Sequence, residues 1–136
     1  MAGHLLITRP EHDYATRYLS AWSEKLFDLI KNRGYLIIDL HRERANRKEI
    51  ESVLSKRNHD LVIINGHGSD DAVAGHDDNL LIKAGENSFL LSNKVTVLQE
   101  LSIAILVPSL SISNANENSL NSSFGGFNNH LVTIRK

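Results

Sequence analysis

The sequence predicts an α/β domain with a mostly parallel sheet. Apolar runs of strand length alternate with segments whose large apolar residues recur every three or four positions, which is the spacing of one helical face. Short connections between them favour right-handed crossovers, so helices are expected on both faces of the sheet. With 136 residues and 41% hydrophobic content, the chain is long enough for one domain with an ordinary core.

The first 64 residues predict three strands and two helices. Residues 4–8 form an apolar run before Pro10, whose fixed φ favours an exit from a strand. Residues 35–40 and 60–64 are continuous apolar runs, typical of strands that are buried on both faces. A second helix is predicted over residues 47–56, with Asn46 as its N-cap.

The first helix is predicted over residues 14–33, and Gly34 is well placed to end it. Its periodic apolar positions define a face that we expect to pack on the sheet. This face consists of Tyr18, Leu19, Trp22, Leu26, Leu29 and Ile30.

The pattern is weaker in the second half of the chain. Short features are predicted there in the order of a strand at 80–82, a turn at 84–87, one helical turn at 88–91 and a fourth main strand at 94–98.

The composition changes abruptly after residue 100. Positions 101–134 carry a single charged residue, Glu117, and residues 109–129 include six Ser and six Asn. Such a composition is typical of a loop or of disorder. We therefore predict an α/β domain over residues 1–100 and a low-charge, Ser/Asn-rich tail over 101–136 without a native-like fold. The sheet would then be truncated after the fourth strand and keep an exposed edge.

The charge balance excludes several classes of partner. The chain has 15 basic and 16 acidic side chains and a formal net charge of −1, so no overall field attracts nucleic acid or an anionic membrane surface. No basic and apolar leader opens the sequence, and the apolar stretch at 101–110 is too short to span a bilayer. We expect a soluble, cytoplasmic protein whose partner or substrate is a peptide or protein, with no cofactor.

The segment LVIINGHGSDDAVAGHDD, residues 61–78, carries the strongest functional signal. His67 stands between Gly66 and Gly68 at the carboxyl end of a predicted strand, the edge where function collects in α/β sheets. The two glycines predict a tight turn and a close approach of the backbone to a ligand. His67 is therefore a candidate general base, although such a histidine can also simply hydrogen-bond the loop backbone.

The loop that follows is acidic and contains a second histidine. Asp70, Asp71, His76 and Asp77 are predicted to bind substrate, because an acidic rim beside a cleft, continued by Asp78, favours a positively charged group. Imidazole and carboxylate groups together also suit zinc or iron, but the spacing matches no local ligand motif, so no metal site is predicted.

An apolar strand that ends in His-Gly inside an α/β sheet resembles the catalytic-histidine strand of the caspase-like clan of cysteine peptidases. This clan includes caspases, gingipains, legumains, separases and CHAT domains. The segments HLLITRPEHD, DLHRERANRKEIESVL, INGHGSDDAVAGHDDNLLIKAGEN and LLSNKV are similar to small prokaryotic gingipain-like or CHAT-like proteins, over about the first 95 residues. The resemblance implies a three-layer α/β/α fold and cysteine-type endopeptidase activity, with His67 as general base and the backbone of Gly68 in the oxyanion site.

The resemblance also implies a cysteine after the strand that begins near Lys94, but the chain contains no cysteine. The domain is a pseudo-enzyme, or a serine such as Ser102 or Ser109 replaces the nucleophile, or the reading frame has slipped near residue 97. The frame slip is favoured, because codons for residues 103–108 can also read Asn-Cys-Asn-Ser-Gly-Ala in a shifted frame. As written, the chain is predicted to be inactive.

Two other functions remain open at this point. One is a non-catalytic binding or signalling module that holds its partner with the loop at residues 66–78. The other is a metal-assisted hydrolase that uses His67, His76 and the neighbouring aspartates.

Overall fold

The computed structural model describes residues 3–69, 71–100 and 128–133. In chain order, the strands and helices are β1 (Gly3–Arg9), α1 (Tyr14–Glu24), α2 (Phe27–Asn32), β2 (Tyr35–His41), α3 (Arg47–Lys56), β3 (Leu61–Gly68), β4 (Ala72–Ala74), β5 (Leu80–Lys83), β6 (Val95–Glu100) and β7 (Asn128–Thr133). Three short 3-10 helices cover Arg42–Arg44, His76–Asp78 and Ser88–Leu91. None of the described helices has the length and apolar character needed to cross a bilayer.

The domain is α/β, as predicted, but its sheet is mixed. Strands β2, β1, β3 and β6 lie side by side in that order and run parallel. Leu6, for example, lies opposite Ile38 of β2 and Val62 of β3. Antiparallel pairing joins β3 to β4, β4 to β5 and β6 to β7. The parallel strands belong to the crossover units that the sequence predicts. Of the antiparallel strands, β4 and β5 extend the sheet from the end of β3, and β7 forms the edge beside β6.

Helices pack on both faces of the parallel strands. On one face, Ile50 and Leu54 of α3 are buried against Leu6 and Val62, among other apolar side chains. On the opposite face, α2 packs against Leu5, Ile7 and Ile63. Burial of each such side chain contributes about 1.5–3 kcal/mol relative to leaving it exposed.

The predicted helix over residues 14–33 is divided into α1 and α2, and its predicted apolar face is only partly buried. Leu19 is buried, but Tyr18 and Leu29 are exposed by 51% and 54%. Tyr18 is exposed in part because α1 turns Ser20 and Ser23 toward the sheet, where their hydroxyls accept hydrogen bonds from Arg9 of β1 and Asn65 of β3. Hydrogen bonding thus decides which face of α1 is buried.

The Gly66-His67-Gly68 segment is a strand and not a turn. It continues β3, with His67 opposite Ala74 and Gly68 opposite Val73 of β4. A Cβ atom on Gly66 would lie 2.1 Å from the carbonyl oxygen of Ala74. Glycine is therefore required because the backbone of β4 approaches closely, and the prediction of a tight turn was wrong.

The sheet does not end at the fourth predicted strand, which corrects the expected truncation. β7 pairs antiparallel with β6 along its whole length, from Val95 opposite Thr133 to Glu100 opposite Asn128. The edge of β6 that was expected to stay open is therefore occupied by β7. Residues 101–127 and 134–136 of the predicted tail lie outside the described residues, and so do Ser102 and Ser109.

Candidate functional site

Three histidines meet at the carboxyl edge of the parallel strands. His12 belongs to the loop after β1, His67 to the end of β3, and His76 to the connection between β4 and β5. The ring centroid of His12 lies 5.5 Å from that of His67 and 5.5 Å from that of His76, with the rings edge to face in both pairs. The site therefore lies where parallel α/β sheets commonly place ligands.

His67 is paired with a carboxylate that comes from the start of α1. Its Nε2 atom is hydrogen-bonded to Oδ2 of Asp13, and the His67 side chain is 30% exposed. Asp13 is also the N-cap of α1, where its other oxygen accepts hydrogen bonds of 2.8 Å and 2.7 Å from the backbone and hydroxyl of Thr16. Helix capping thus fixes the carboxylate that orients the imidazole.

Asp13 stays ionised over the whole physiological range. Burial by itself raises the pKa of this carboxyl, but hydrogen bonds from Thr16 and His67 outweigh it and lower the pKa to about 2. A charged carboxylate beside an imidazole stabilises the imidazolium that forms when the ring accepts a proton. The pair is therefore suited to acid–base chemistry.

A buried amide holds the end of β3 in place below His67. Asn65 is fully buried, and its Nδ2 atom donates to the carbonyl oxygen of Thr8 at 2.8 Å and to the hydroxyl of Ser23 at 2.9 Å. The hydroxyl of Thr8 accepts from the backbone N–H of Asn65 at 3.0 Å. These bonds tie β3 to β1 and α1, so the elements that carry His67 and Asp13 have a fixed relative position.

The loop after β1 is anchored by a second carboxylate, Glu11. One of its oxygens is 2.6 Å from Nε2 of His41 and accepts from the hydroxyl of Ser20 at 2.7 Å. The other oxygen accepts from Nε of Arg42 at 3.0 Å. Glu11 therefore connects the end of β1 to α1 and to the end of β2.

The ring of His12 makes no hydrogen bond within the part of the chain that the structure describes. Its side chain is 12% exposed, and neither ring nitrogen has a hydrogen-bond partner among the described residues. The nearest charged groups are Oδ1 of Asp78 at 3.4 Å and Oδ2 of Asp13 at 3.8 Å from Nε2. One ligand atom from each of His12, His67 and Asp78 lies within 4.8 Å of the others.

Of the residues predicted to bind substrate, His76 and Asp77 lie beside this cluster, with different degrees of exposure. His76 is largely buried, and its Nδ1 atom accepts the backbone N–H of Glu11 at 3.2 Å. Asp77 is 80% exposed, and Asp71 is also exposed. Asp70 lies outside the described residues.

The predicted oxyanion residue Gly68 is the last residue of β3 and lies in the ladder opposite Val73. Its role in binding an oxyanion stays a prediction.

Two residues of the site, His12 and Asp13, were missed by the interpretation of the sequence. They follow Pro10 directly after the first predicted strand, at the same edge of the sheet as His67. A search for polar side chains after every predicted parallel strand finds them, because the carboxyl ends of such strands share one edge.

Replacing Glu11 with glutamine is expected to destabilise the protein near neutral pH by about 1–3 kcal/mol. Burial by itself raises the pKa of this carboxyl, but hydrogen bonds from His41, Ser20 and Arg42 outweigh it and lower the pKa to about 2. A depressed pKa in the folded state stabilises the protein above the unfolded pKa of about 4.3, and this contribution is lost as the pH falls toward 2.

Urea unfolding of both proteins at about pH 7 and at about pH 2.5 measures the effect. The two curves should differ at neutral pH and converge in acid. Glu43→Gln is the control, because the side chain of Glu43 makes no ion pair within the described residues. A difference that persists unchanged at low pH would contradict the role assigned to Glu11.

No protein-family model, curated protein or solved structure matches this chain. The chemistry of the site is therefore inferred from its own residues alone.

Proposed function

We propose that this chain is a caspase- or gingipain-like cysteine-peptidase domain in which His67 is the acid–base half of a His/Cys pair. One observation carries the proposal: an imidazole at the carboxyl end of a parallel strand is hydrogen-bonded to a capping aspartate, Asp13. Because the chain has no cysteine, it has no thiol for His67 to activate and is inactive as written.

The arrangement of the sheet supports this proposal. In the clan that the sequence resembles, the catalytic cysteine follows the strand beside the histidine strand. β6 is the parallel neighbour of β3, and its Glu100 lies opposite Gly66, one residue before His67. A nucleophile that follows β6 would enter the site beside the imidazole. Helices on both faces of the sheet agree with the three-layer architecture of that clan.

The two nitrogens of His67 would then have separate roles. Nε2 is held by the ionised Asp13, which orients the ring and stabilises its charged form. Nδ1 is left to take the proton from the thiol, so that the thiolate attacks a peptide carbonyl and the same nitrogen returns the proton to the leaving amine. In this scheme Asp13 is a positioning residue and His67 the catalytic one.

Installing a cysteine tests the proposal directly. Codon degeneracy allows the codon of Ala104 to overlap that of the missing cysteine in the shifted frame, so Ala104→Cys places a thiol at that point of the chain. We expect iodoacetamide to alkylate this thiol at a pH about one unit or more lower than an ordinary thiol requires, because a neighbouring imidazolium stabilises the thiolate. Adding His67→Ala should remove this shift.

Ser55→Cys on the exposed surface of α3 provides the control thiol. The proposal would be overturned if the pH dependence of alkylation is the same for Ala104→Cys and Ser55→Cys. It would also be overturned if replacing His67 leaves the pH dependence of Ala104→Cys unchanged. The nucleotide sequence gives a separate check of the frame slip. A stop codon between codons 97 and 131 of the alternative frame would rule out the slip and leave the pseudo-enzyme explanation.

A second candidate function is a binding module for a positively charged segment of a peptide or protein. The exposed carboxylates of Asp77 and Asp78 favour it, since they lie beside the histidine cluster with about four fifths of each side chain in solvent. Capture of basic peptides should then survive His67→Ala and weaken when both aspartates are replaced by asparagine. Loss of capture on His67→Ala alone would favour the first proposal.

A further inference from the structure

We infer that His12, His67 and Asp78 form a binding site for a divalent transition-metal ion of the Zn²⁺ class. Their ligand atoms lie within 4.8 Å of one another, although the three residues are far apart in the sequence. His12 comes from the loop after β1, His67 from the end of β3, and Asp78 from the connection between β4 and β5. Such a site is an alternative to the proposed peptidase role of His67, because it takes Nε2 of His67 away from Asp13 and requires no nucleophile.

The unpaired imidazole of His12 is the strongest argument for a ligand. Among the described residues, neither of its ring nitrogens has a hydrogen-bond partner, and the side chain is 12% exposed. A neutral imidazole has one N–H and one lone pair, and leaving both unmet in a buried position costs free energy. A metal ion that accepts the lone pair removes part of this cost.

The distances allow tetrahedral coordination with small movements. Zinc bonds to nitrogen and oxygen of about 2.0–2.2 Å place neighbouring ligand atoms roughly 3.4 Å apart. Nε2 of His12 is already 3.4 Å from Oδ1 of Asp78. The Asp78 side chain is 78% exposed, so it can rotate toward the third ligand without repacking the core.

Asp13 completes the donor set. Its Oδ2 atom lies 3.8 Å from Nε2 of His12 and is hydrogen-bonded to Nε2 of His67. Metal binding to His67 releases the proton of that hydrogen bond and frees the carboxylate oxygen as a fourth ligand. Two imidazoles and two carboxylates suit zinc and its first-row neighbours, whereas Mg²⁺ and Ca²⁺ prefer oxygen ligands alone.

His76 is not a ligand in this arrangement. Its Nδ1 atom accepts the backbone N–H of Glu11 at 3.2 Å and is therefore not free to bind a metal. His76 is also not among the residues whose ligand atoms lie within 4.8 Å of one another, and it supports the site through its ring contact with His12.

Titration of the purified chain with ZnCl₂ tests the inference, with calorimetry as the readout. We expect one Zn²⁺ per chain, with no competition from an excess of Mg²⁺ or Ca²⁺. Asp78→Asn should weaken binding by at least about tenfold and His12→Gln by at least about 100-fold, since even the loss of an outer-shell partner costs 10–100-fold. Tetrahedral Co²⁺ absorption in the visible region should appear with the wild type and be lost with His12→Gln.

Asp77→Asn is the matched control for Asp78→Asn. The two aspartates are adjacent, are 80% and 78% exposed, and have positive φ values of 51° and 57°. Asparagine tolerates this backbone conformation, and both substitutions remove one negative charge, so only ligation distinguishes them. Asp77→Asn should change the Zn²⁺ affinity by less than about threefold, the change expected from one exposed charge.

The inference is overturned by the absence of saturable 1:1 binding, or by equal losses for Asp77→Asn and Asp78→Asn. It is also overturned if His4→Gln, at the opposite end of β1, abolishes binding while His12→Gln does not. Asp78 is exposed, so its variant is expected to fold and keeps the test decisive even if His12→Gln unfolds the chain. The result is independent of the thiol experiment, because it is read on the chain without a cysteine.

Discussion

Replacing Arg9 with methionine is expected to lower the free energy of unfolding by about 3–5 kcal/mol, the cost of breaking a buried ion pair by removing one partner. Arg9 lies at the end of β1 and is 4% exposed. Its Nε and one terminal nitrogen donate to the two oxygens of Asp39 at 2.9 Å and 2.6 Å. The substitution leaves the carboxylate of Asp39, with 26% of its side chain exposed, without its only charged partner among the described residues.

The Arg9 side chain also connects the core to the site, so its replacement should remove other contacts besides the ion pair with Asp39. Arg9 donates to the hydroxyl of Ser20 at 3.1 Å, and Ser20 in turn donates to Glu11 at 2.7 Å. The guanidinium also lies 5.1 Å from the ring centroid of Phe27, where it gains a cation–π contact. Arg9→Met should therefore loosen the loop that carries His12 and Asp13.

Urea denaturation of Arg9→Met and of Arg33→Met measures this effect. Arg33 is exposed at the end of α2, so its replacement should change the free energy of unfolding by less than about 0.5 kcal/mol. An effect below about 1 kcal/mol for Arg9→Met would show that solvent replaces the arginine without penalty and would contradict the prediction.

Replacing Gly66 with alanine is expected to destabilise the domain by about 2–3 kcal/mol, the upper part of the usual range for inserting a methyl group into a closely packed position. The new Cβ atom would lie 2.1 Å from the carbonyl oxygen of Ala74 and 3.0 Å from Cγ1 of Val73. The oxygen belongs to the backbone of β4, which cannot rotate away as a side chain can. β4 must therefore move away from β3, and His67, which pairs with Ala74, must lose part of its support.

Gly85→Ala is the control, because it introduces backbone strain without a steric contact at the new Cβ atom. Gly85 has φ of +77°, and no atom lies within 4 Å of the position that a Cβ atom would take there, so the substitution should cost only about 1 kcal/mol. Thermal unfolding compares the two variants, and the imidazole resonances of His67 report the geometry of its pairing with Asp13. Equal losses for both variants, with unchanged His67 resonances, would refute the close-approach explanation.

The local pattern of the sequence was sufficient for the parallel part of the fold. Asn46 caps α3 as predicted, with its side chain accepting the N–H of Glu49 at 2.9 Å, and α3 spans the predicted residues. Residues 35–40 form most of β2, and residues 61–64 of the predicted 60–64 form the first half of β3. These features were predictable because caps and continuous apolar runs depend on neighbouring residues alone.

The parts that could not be predicted depend on contacts between distant segments. The short β4 has too few residues to show a period, and it exists because it pairs with the end of β3. Likewise, the apolar spacing over residues 14–33 does not show that the segment divides into α1 and α2 or that Leu29 of α2 is exposed.

The same distinction applies to the site. His67 could be selected from the sequence, because it follows an apolar run and so lies at the carboxyl end of a predicted strand, the edge where α/β sheets commonly bind ligands. Its partner could not, since Asp13 lies 54 positions earlier and its local pattern predicts only a helix cap. Only the tertiary structure brings β1 beside β3, and this places the cap of α1, the unpaired His12 and the exposed Asp78 around one imidazole.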